Sequence, residues 1–297
     1  MVTYVVERLS HHRHADVLAA LRASFQQPFA DAFFTWKHIE GPWGATDGWV
    51  AVDDDGIAGL LCCLPWALRR NGVDAVASRL VDGGTLPRAL RKGIFGELVR
   101  HEVERCRSLP VPQSIFCTAT PAARDSHVKR GAIALEPLRH GIGVVPVHRA
   151  LASIVEDDAF DHYVAESTPR LTTAWSPVAL RWRVDERSGH RYGAARLRNA
   201  DDPNGIVYRV GFRHGLRLLF VEVGWGPLRE LAALASAVGL RHGCVLWSAP
   251  SGPGAGWPMR PVRWGGESLL CSWPFSTESM TKLQDTALWL ADVEGLI

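Results

Sequence analysis

Leu80-Val-Asp-Gly-Gly-Thr-Leu-Pro-Arg-Ala-Leu-Arg-Lys-Gly-Ile-Phe-Gly-Glu-Leu-Val99 decides how the chain is read. The apolar run ending near Val81 predicts a strand, which delivers the chain to a loop holding Arg88, Arg91, Lys92, Gly93 and Gly96. An amphipathic helix follows at once, from about Gly93 to Cys106. The first turn of a helix has unpaired N–H groups and the positive end of its dipole, so it suits a diphosphate. Gly93 permits close approach of a ligand to the backbone, and the flanking cations add charge. The residues alone leave a second reading open: an ordinary strand–turn–helix with a turn glycine and solvated Arg and Lys. The Walker and dinucleotide fingerprints are absent, which removes two common competitors.

Upstream, spacing predicts a short strand at 4–9, a helix at 14–25 with positions 17, 18, 21 and 25 on one face, and a short helix at 33–38. A strand at 48–52 runs through the acidic turn Asp53-Asp54-Asp55-Gly56 into a hairpin partner at 57–64, and a further strand spans 75–81. Downstream come a strand at 114–119 and a helical segment near 122–130. Residues 151–173 read as an acidic, weakly patterned linker. Beyond it, strands near 192–198, 205–212 and 216–223, a helix at 227–238, strands at 244–247 and 269–272 and a closing helix repeat a similar order. The expected domains are therefore 1–150 and 174–297, a degenerate tandem repeat.

At 297 residues, 47% hydrophobic, the chain reads as a packed globular protein. A net charge of +2 is too small for a sequence-independent nucleic-acid binder. No leader or apolar run long enough for a membrane span is evident. Six cysteines without CxxC spacing read as buried thiols in a reducing cytoplasm, and twelve scattered histidines show no metal-ligand spacing, so no metal is expected.

Thr85-Leu-Pro-Arg-Ala-Leu-Arg-Lys-Gly-Ile-Phe95 resembles the cofactor motif of GNAT acetyltransferases, written Pro, two residues, Arg, Gly, any residue, Gly, Ile, then Gly or Ala. The branch with large C-terminal halves often reads Thr-x-Pro-x-x-Arg-x-Lys-Gly-Ile-Phe, matched here at Pro87, Lys92, Gly93, Ile94 and Phe95. The chain departs from the motif at Leu90, where the family has its first Arg, and at Arg91, where it has its next Gly. Phe34-Thr-Trp-Lys-His-Ile-Glu-Gly-Pro-Trp-Gly44, Leu180-Arg-Trp-Arg183 and Trp289-Leu-Ala-Asp-Val-Glu294 are similar to other segments of that branch, so the likeness touches nearly the whole chain.

The resemblance implies an α+β fold of two GNAT-like halves, each a central, mostly antiparallel mixed sheet flanked by helices. It implies an acyl-CoA-dependent N-acyltransferase that uses acetyl-CoA or another acyl-CoA on a primary amine of a small molecule, such as an amino sugar or antibiotic-type natural product. The strand at 80–85 is expected to splay from its neighbour near Phe116. Amides of Val81 and Gly83 would then polarise the thioester, and Arg88, Arg91 and Lys92 with the amides of Gly93, Ile94, Phe95 and Gly96 would hold the diphosphate. Asp82 is the first candidate for general base, against a turn-capping role. Ser126 and His127 are the available substitutes for the family's Tyr, against a reading of His127 as a surface histidine. Trp36, His38, Trp43 and Trp49 would wall an acceptor pocket, some of these rings being accounted for by core packing alone. The second half lacks a cationic glycine loop at Gly226-Pro227-Leu228-Arg229 and is expected to bind no cofactor. The competing readings are an aminoacyl-tRNA-dependent transferase, disfavoured by the charge, and a non-catalytic module with this fold. The expected state is a monomer or homodimer.

Overall fold

The structure, a computed structural model, describes residues 4–134, 140–144, 153–156, 159–165, 171–198, 203–250, 260–262 and 269–273. In chain order these form β1 (Val5–Arg8), α1 (His14–Phe25), α2 (Asp31–Phe34), β2 (Asp47–Asp53), β3 (Gly56–Arg70), β4 (Val73–Thr85), α3 (Ile94–Ser108), β5 (Ile115–Ala119), α4 (Pro121–Val128) and β6 (Ile133–Ala134). There follow β7 (His140–Val144), β8 (Ile154–Val155), β9 (Thr172–Thr173), α5 (Pro177–Arg183), β10 (Tyr192–Leu197), β11 (Gly205–Arg213), β12 (Leu216–Trp225), α6 (Leu228–Arg241), β13 (Leu246–Pro250), β14 (Arg260–Val262) and β15 (Leu269–Trp273).

The chain is α+β with two sheets, each flanked by helices. The first runs β1-β2-β3-β4-β5-β15-β6, and its β4/β5 pair is parallel among antiparallel neighbours. The second runs β14-β7-β13-β12-β11-β10-β8, with β12/β13 parallel. Each sheet therefore holds an antiparallel meander, then a helix, then a parallel strand. Both meanders use a two-residue hairpin turn with positive φ at each position, Asn71-Gly72 and His214-Gly215, whose twist matches the strands it joins.

Two compact units emerge, one from the described residues within Met1–Leu68, Ala75–Glu136 and Leu269–Gln284, the other from the rest. This differs from the expected limits of 1–150 and 174–297. The reason is strand exchange along the chain: β15 pairs with β5 from Leu269↔Ala119 to Trp273↔Ile115, while β7 pairs with β13. The segment expected to be a linker carries β8, β9 and a 3-10 turn at Ala159–His162. The expected closing helix and the Trp289–Glu294 segment lie outside the described residues.

In the first unit, α3 buries Ile94, Leu98, Val99, Val103 and Cys106 against one face of the sheet and turns Glu97, Arg100 and Glu104 outward as an ion-paired row. On the other face, α1 buries Val17, Leu18 and Leu21 against Val50, Leu60 and Cys62. In the second unit α6 covers the sheet through Leu231, Leu234, Ala235 and Val238.

Candidate acyl-transfer site

The parallel ladder between β4 and β5 holds two registered pairs, Ser78↔Ile115 and Arg79↔Phe116. β4 continues to Thr85 and β5 to Ala119, so beyond Arg79 the two strands part and leave one edge of Leu80–Thr85 without β5 partners. This is the splay expected near Phe116. Val81 packs toward α1, and the next residue, Asp82, takes φ 42° in mid-strand. That left-handed turn breaks the alternation of faces. Asp82 consequently points to the same face as Val81.

There it meets two buried partners: Lys37 Nζ at 2.5 Å and His38 Nε2 at 2.9 Å from Asp82 Oδ2, with side-chain exposures of 1%, 3% and 5% for Lys37, His38 and Asp82. Burial raises the Asp82 carboxyl, but Lys37 and His38 together outweigh it and hold the group well below the usual carboxylate range. Burial keeps His38 below its usual value despite Asp82, so its imidazole is neutral. Facing a carboxylate, Nε2 is assigned the proton, which leaves Nδ1 as acceptor 3.2 Å from the Thr46 hydroxyl. A carboxylate so firmly ionised is a weak proton acceptor. Lys37 is the partner that sequence reasoning missed, since 45 positions in the chain separate it from Asp82.

Past β4, Gly93 caps α3 with φ 78° and with no atom within 4 Å of where a Cβ would stand, and no side chain caps the helix. Arg91, Lys92 and Gly93 are exposed. Arg91 holds φ 64°, the conformation glycine adopts freely at the corresponding motif position and other residues at about 1–2 kcal/mol. Arg88 is placed differently from expectation. It pairs with Asp53 and reaches the carbonyls of Gly56 and Ile57, pinning the β2–β3 turn rather than facing the loop. Ile94 is buried in the core, and Phe95 lies over Gly83, so neither presents its side chain to the loop surface. A second residue unforeseen from sequence is Arg130. Its guanidinium lies against Gly96, where any Cβ would overlap it, and bonds Ser126 Oγ and O at 2.9 Å each.

His127 is 3% exposed between Phe95 (5.5 Å) and Trp273 (5.1 Å), and its Nδ1 has no partner among the described residues. Burial, helped by Arg130, pushes its pKa down to about 4. Below pH 6.5 the unfolded chain therefore takes up a proton that the folded chain refuses. Stability should fall by about 3 kcal/mol between pH 6.5 and 4 from this group, then level off. His127→Phe should remove that portion of the acid slope in chemical denaturation; an unchanged slope would mean the imidazole is charged or exposed.

The four residues expected to wall one pocket separate onto two faces. Trp36 and His38 pack beside Phe33 and Phe34 near Asp82. Trp49 packs against the α3-side core and donates to Glu102, and Trp43 packs tilted against Trp66. Trp36 and His38 sit on the helical segment Thr35–Ile39 on the α1 side, whereas regular alternation along β2 sends Trp49 to the α3 side and Val50 to the α1 side.

In the second unit the β12/β13 ladder likewise ends at Phe220↔Ser248 while β12 runs to Trp225. At the start of α6, however, Pro203 and Asn204 fill the space beside Gly226, and Glu230 accepts from Asn204 Nδ2 at 3.1 Å. An acidic side chain there repels an anion. Among the described residues no group of His, Cys, Asp and Glu is placed to hold a metal, and no helix is long and apolar enough to cross a membrane.

Residues 6–123 match the family model of the acetyltransferase (GNAT) domain. No curated protein matches the chain by sequence. Among solved structures, a probable N-acyltransferase from Enterococcus faecalis superposes with TM-score 0.67 at 10% identity, covering 92% of this chain and 72% of that one. A GCN5-related N-acetyltransferase from Kribbella flavida gives 0.66 at 14%, covering 91% and 71%. N-myristoyltransferase from Saccharomyces cerevisiae with bound myristoyl-CoA gives 0.50 at 9%, covering 92% and 82%. The likeness to these structures shows the GNAT fold, and the matched residues 6–123 contain the strand, loop and α3 described above.

Proposed function

We propose that the protein is an acyl-CoA-dependent N-acyltransferase whose first unit moves an acetyl or longer acyl group onto a primary amine of a small molecule, with amino sugars and antibiotic-type natural products as the first acceptors to try. The observation that carries this reading is the parting of β4 from β5 after Arg79, on a strand that leads into the open, Gly93-capped start of α3. An unpaired strand edge suits an extended amide-bearing arm, which can bond to it as a further strand would. The bound acyl-CoA supplies the activated thioester carbonyl.

In this reading the amides of Lys92 to Gly96, with Arg91, Lys92 and Arg130, hold the diphosphate, and Arg88 shapes the loop through Asp53. Val81 and Gly83 donate N–H groups to the thioester oxygen, oriented by the turn at Asp82. Asp82 serves the base function through His38, whose Nδ1 accepts the amine's proton by way of Thr46. Neutral His127 offers an N–H to the leaving sulfur, while Ser126 positions Arg130. Trp36 and His38 border the acceptor side; Trp43 and Trp49 fall outside it. Six free, buried cysteines support a cytoplasmic setting, and the second unit is assigned no cofactor because Asn204 and Glu230 crowd the start of α6. A monomer or homodimer remains the proposed state.

The second reading, a non-catalytic module, is favoured by Leu90, which stands 56% exposed where the family motif has Arg. Release of free thiol from acetyl-CoA and longer acyl-CoAs in the presence of primary amines separates the two. Transfer slowed by about 10²-fold or more in Asp82→Asn, in the range of general-base effects, supports the first reading. Acyl-CoA binding without release for any amine supports the second.

A further inference from the structure

Beside the C-terminal half of α3 the first unit has a solvent-open pocket of about 300 Å³, at the small end of ligand sites. Val76, Ala77 and Ser78 line it, whereas the β4 edge left free by β5 begins at Leu80. Along α3, Arg105 stands about 18 Å beyond Gly93 at 1.5 Å per residue. The pocket is therefore separate from the β4/β5 cleft.

Its apolar lining includes Val76, Pro65 and the ring of Trp43, which packs tilted against Trp66 at 4.7 Å. The same lining carries two guanidinium groups, Arg8 and Arg105. Of their carboxylate partners, Glu102 is saturated and Asp47 keeps room for further donors. Fully buried Glu102 accepts from Ser78 Oγ (2.5 Å), Trp49 Nε1 (3.0 Å) and Arg105 Nε (2.8 Å) and Nη2 (2.7 Å), which fills its four lone-pair sites. Asp47 accepts from the Gly48 amide at 2.8 Å and pairs with Arg8 Nη2. Gln113 Oε1 already takes Arg105 Nη2 at 3.1 Å.

Both guanidinium groups also keep donors to spare. Among the described residues nothing accepts from Arg105 Nη1 or from Arg8 Nε and Nη1. Burial, and next the charge of Arg105, lower the pKa of Arg8, so the two cations repel one another across the space. An oxyanion between them would relieve that repulsion and use the spare donors in the bidentate way that suits guanidinium.

We propose that this pocket binds a small carboxylate with an apolar body, its oxygens held by Arg8 and Arg105 and its body laid against Trp43, Pro65 and Val76. The site does not depend on acyl transfer, and its occupant need not be a substrate.

Calorimetric titration of the full chain with benzoate and hexanoate, beside benzamide and hexanamide, tests it. The carboxylates should bind, the neutral amides at least about tenfold more weakly, as expected when a charge-assisted pair is lost. Arg8→Gln should weaken benzoate by a similar factor. Val76→Trp, at a position 49% exposed and so tolerant of a large ring, should fill the pocket and abolish binding with an unchanged circular dichroism spectrum. Acetyl-CoA binding should be the same in both variants. The proposal fails if neither carboxylate binds by ~10 mM, weaker than the usual span of specific affinities. It also fails if amides bind equally well, or if both variants bind as the parent does. Tighter binding of inorganic phosphate than of benzoate would overturn the apolar-body assignment.

Discussion

Lys37→Met should destabilise the first unit by about 3–5 kcal/mol, the cost of stranding one member of a buried ion pair. Lys37 is 1% exposed and its ammonium lies 2.5 Å from an Asp82 carboxylate that is itself nearly inaccessible. Without the lysine, Asp82 keeps only the neutral His38, and its pKa should climb toward the range of buried acids. Relative to the parent, the variant's deficit should then be larger at pH 7 than near pH 5, because a protonated Asp82 no longer needs a counter-ion; this change opposes the acid slope that His127 gives both proteins. The double variant Lys37→Met/Asp82→Asn should recover part of the loss, since removing both charges removes the unpaired one. Urea denaturation of the four proteins measures the coupling directly. A single-variant loss under about 1 kcal/mol, typical of exposed pairs, would show that the pair is solvated and not the internal link described above.

Gly93→Trp should lower affinity for CoA and acetyl-CoA by about 100-fold or more, equivalent to about 2.7 kcal/mol. At φ 78° a tryptophan is strained, by about 1–2 kcal/mol. Nothing within 4 Å opposes its Cβ, so the unit should still fold. The indole would then lie over the first-turn amides of α3, excluding the diphosphate from the N–H groups and dipole that favour it. Retained affinity in a folded variant would place the diphosphate elsewhere.

The strand, loop and α3 were legible in sequence because their signals are local: an apolar run, Pro87 and Gly93 as punctuation, and a helix-period stripe through Leu98, Val99, Val103 and Cys106. Cys106 lies on that stripe because it fills core. The turn at Asp82 was not legible in the same way. Asp82-Gly-Gly reads as a turn ending a strand, yet the strand continues to Thr85. What permits this is a charge pair with Lys37, which no local pattern reports. Arg130 was hidden for a similar reason, since its place beside Gly96 follows from the packing of α4 on α3. The Asn71-Gly72 hairpin carries β3 and β4 beyond the expected 57–64 and 75–81, to Gly56–Arg70 and Val73–Thr85. β15 could not be assigned to the first sheet from spacing, because the largest segment of the second unit, Pro137–Ser268, separates it from its partner β5 in the chain.

The central claim is that the first unit holds an acyl-CoA in the cleft between β4 and β5 and at the head of α3. Isothermal titration of the unaltered protein with acetyl-CoA, CoA and a long-chain acyl-CoA tests it most directly. The account predicts micromolar binding of at least one of them at one site per chain. Absence of binding for all three would contradict it, and would mean that Leu90 and the diversion of Arg88 to Asp53 have cost the loop its ligand.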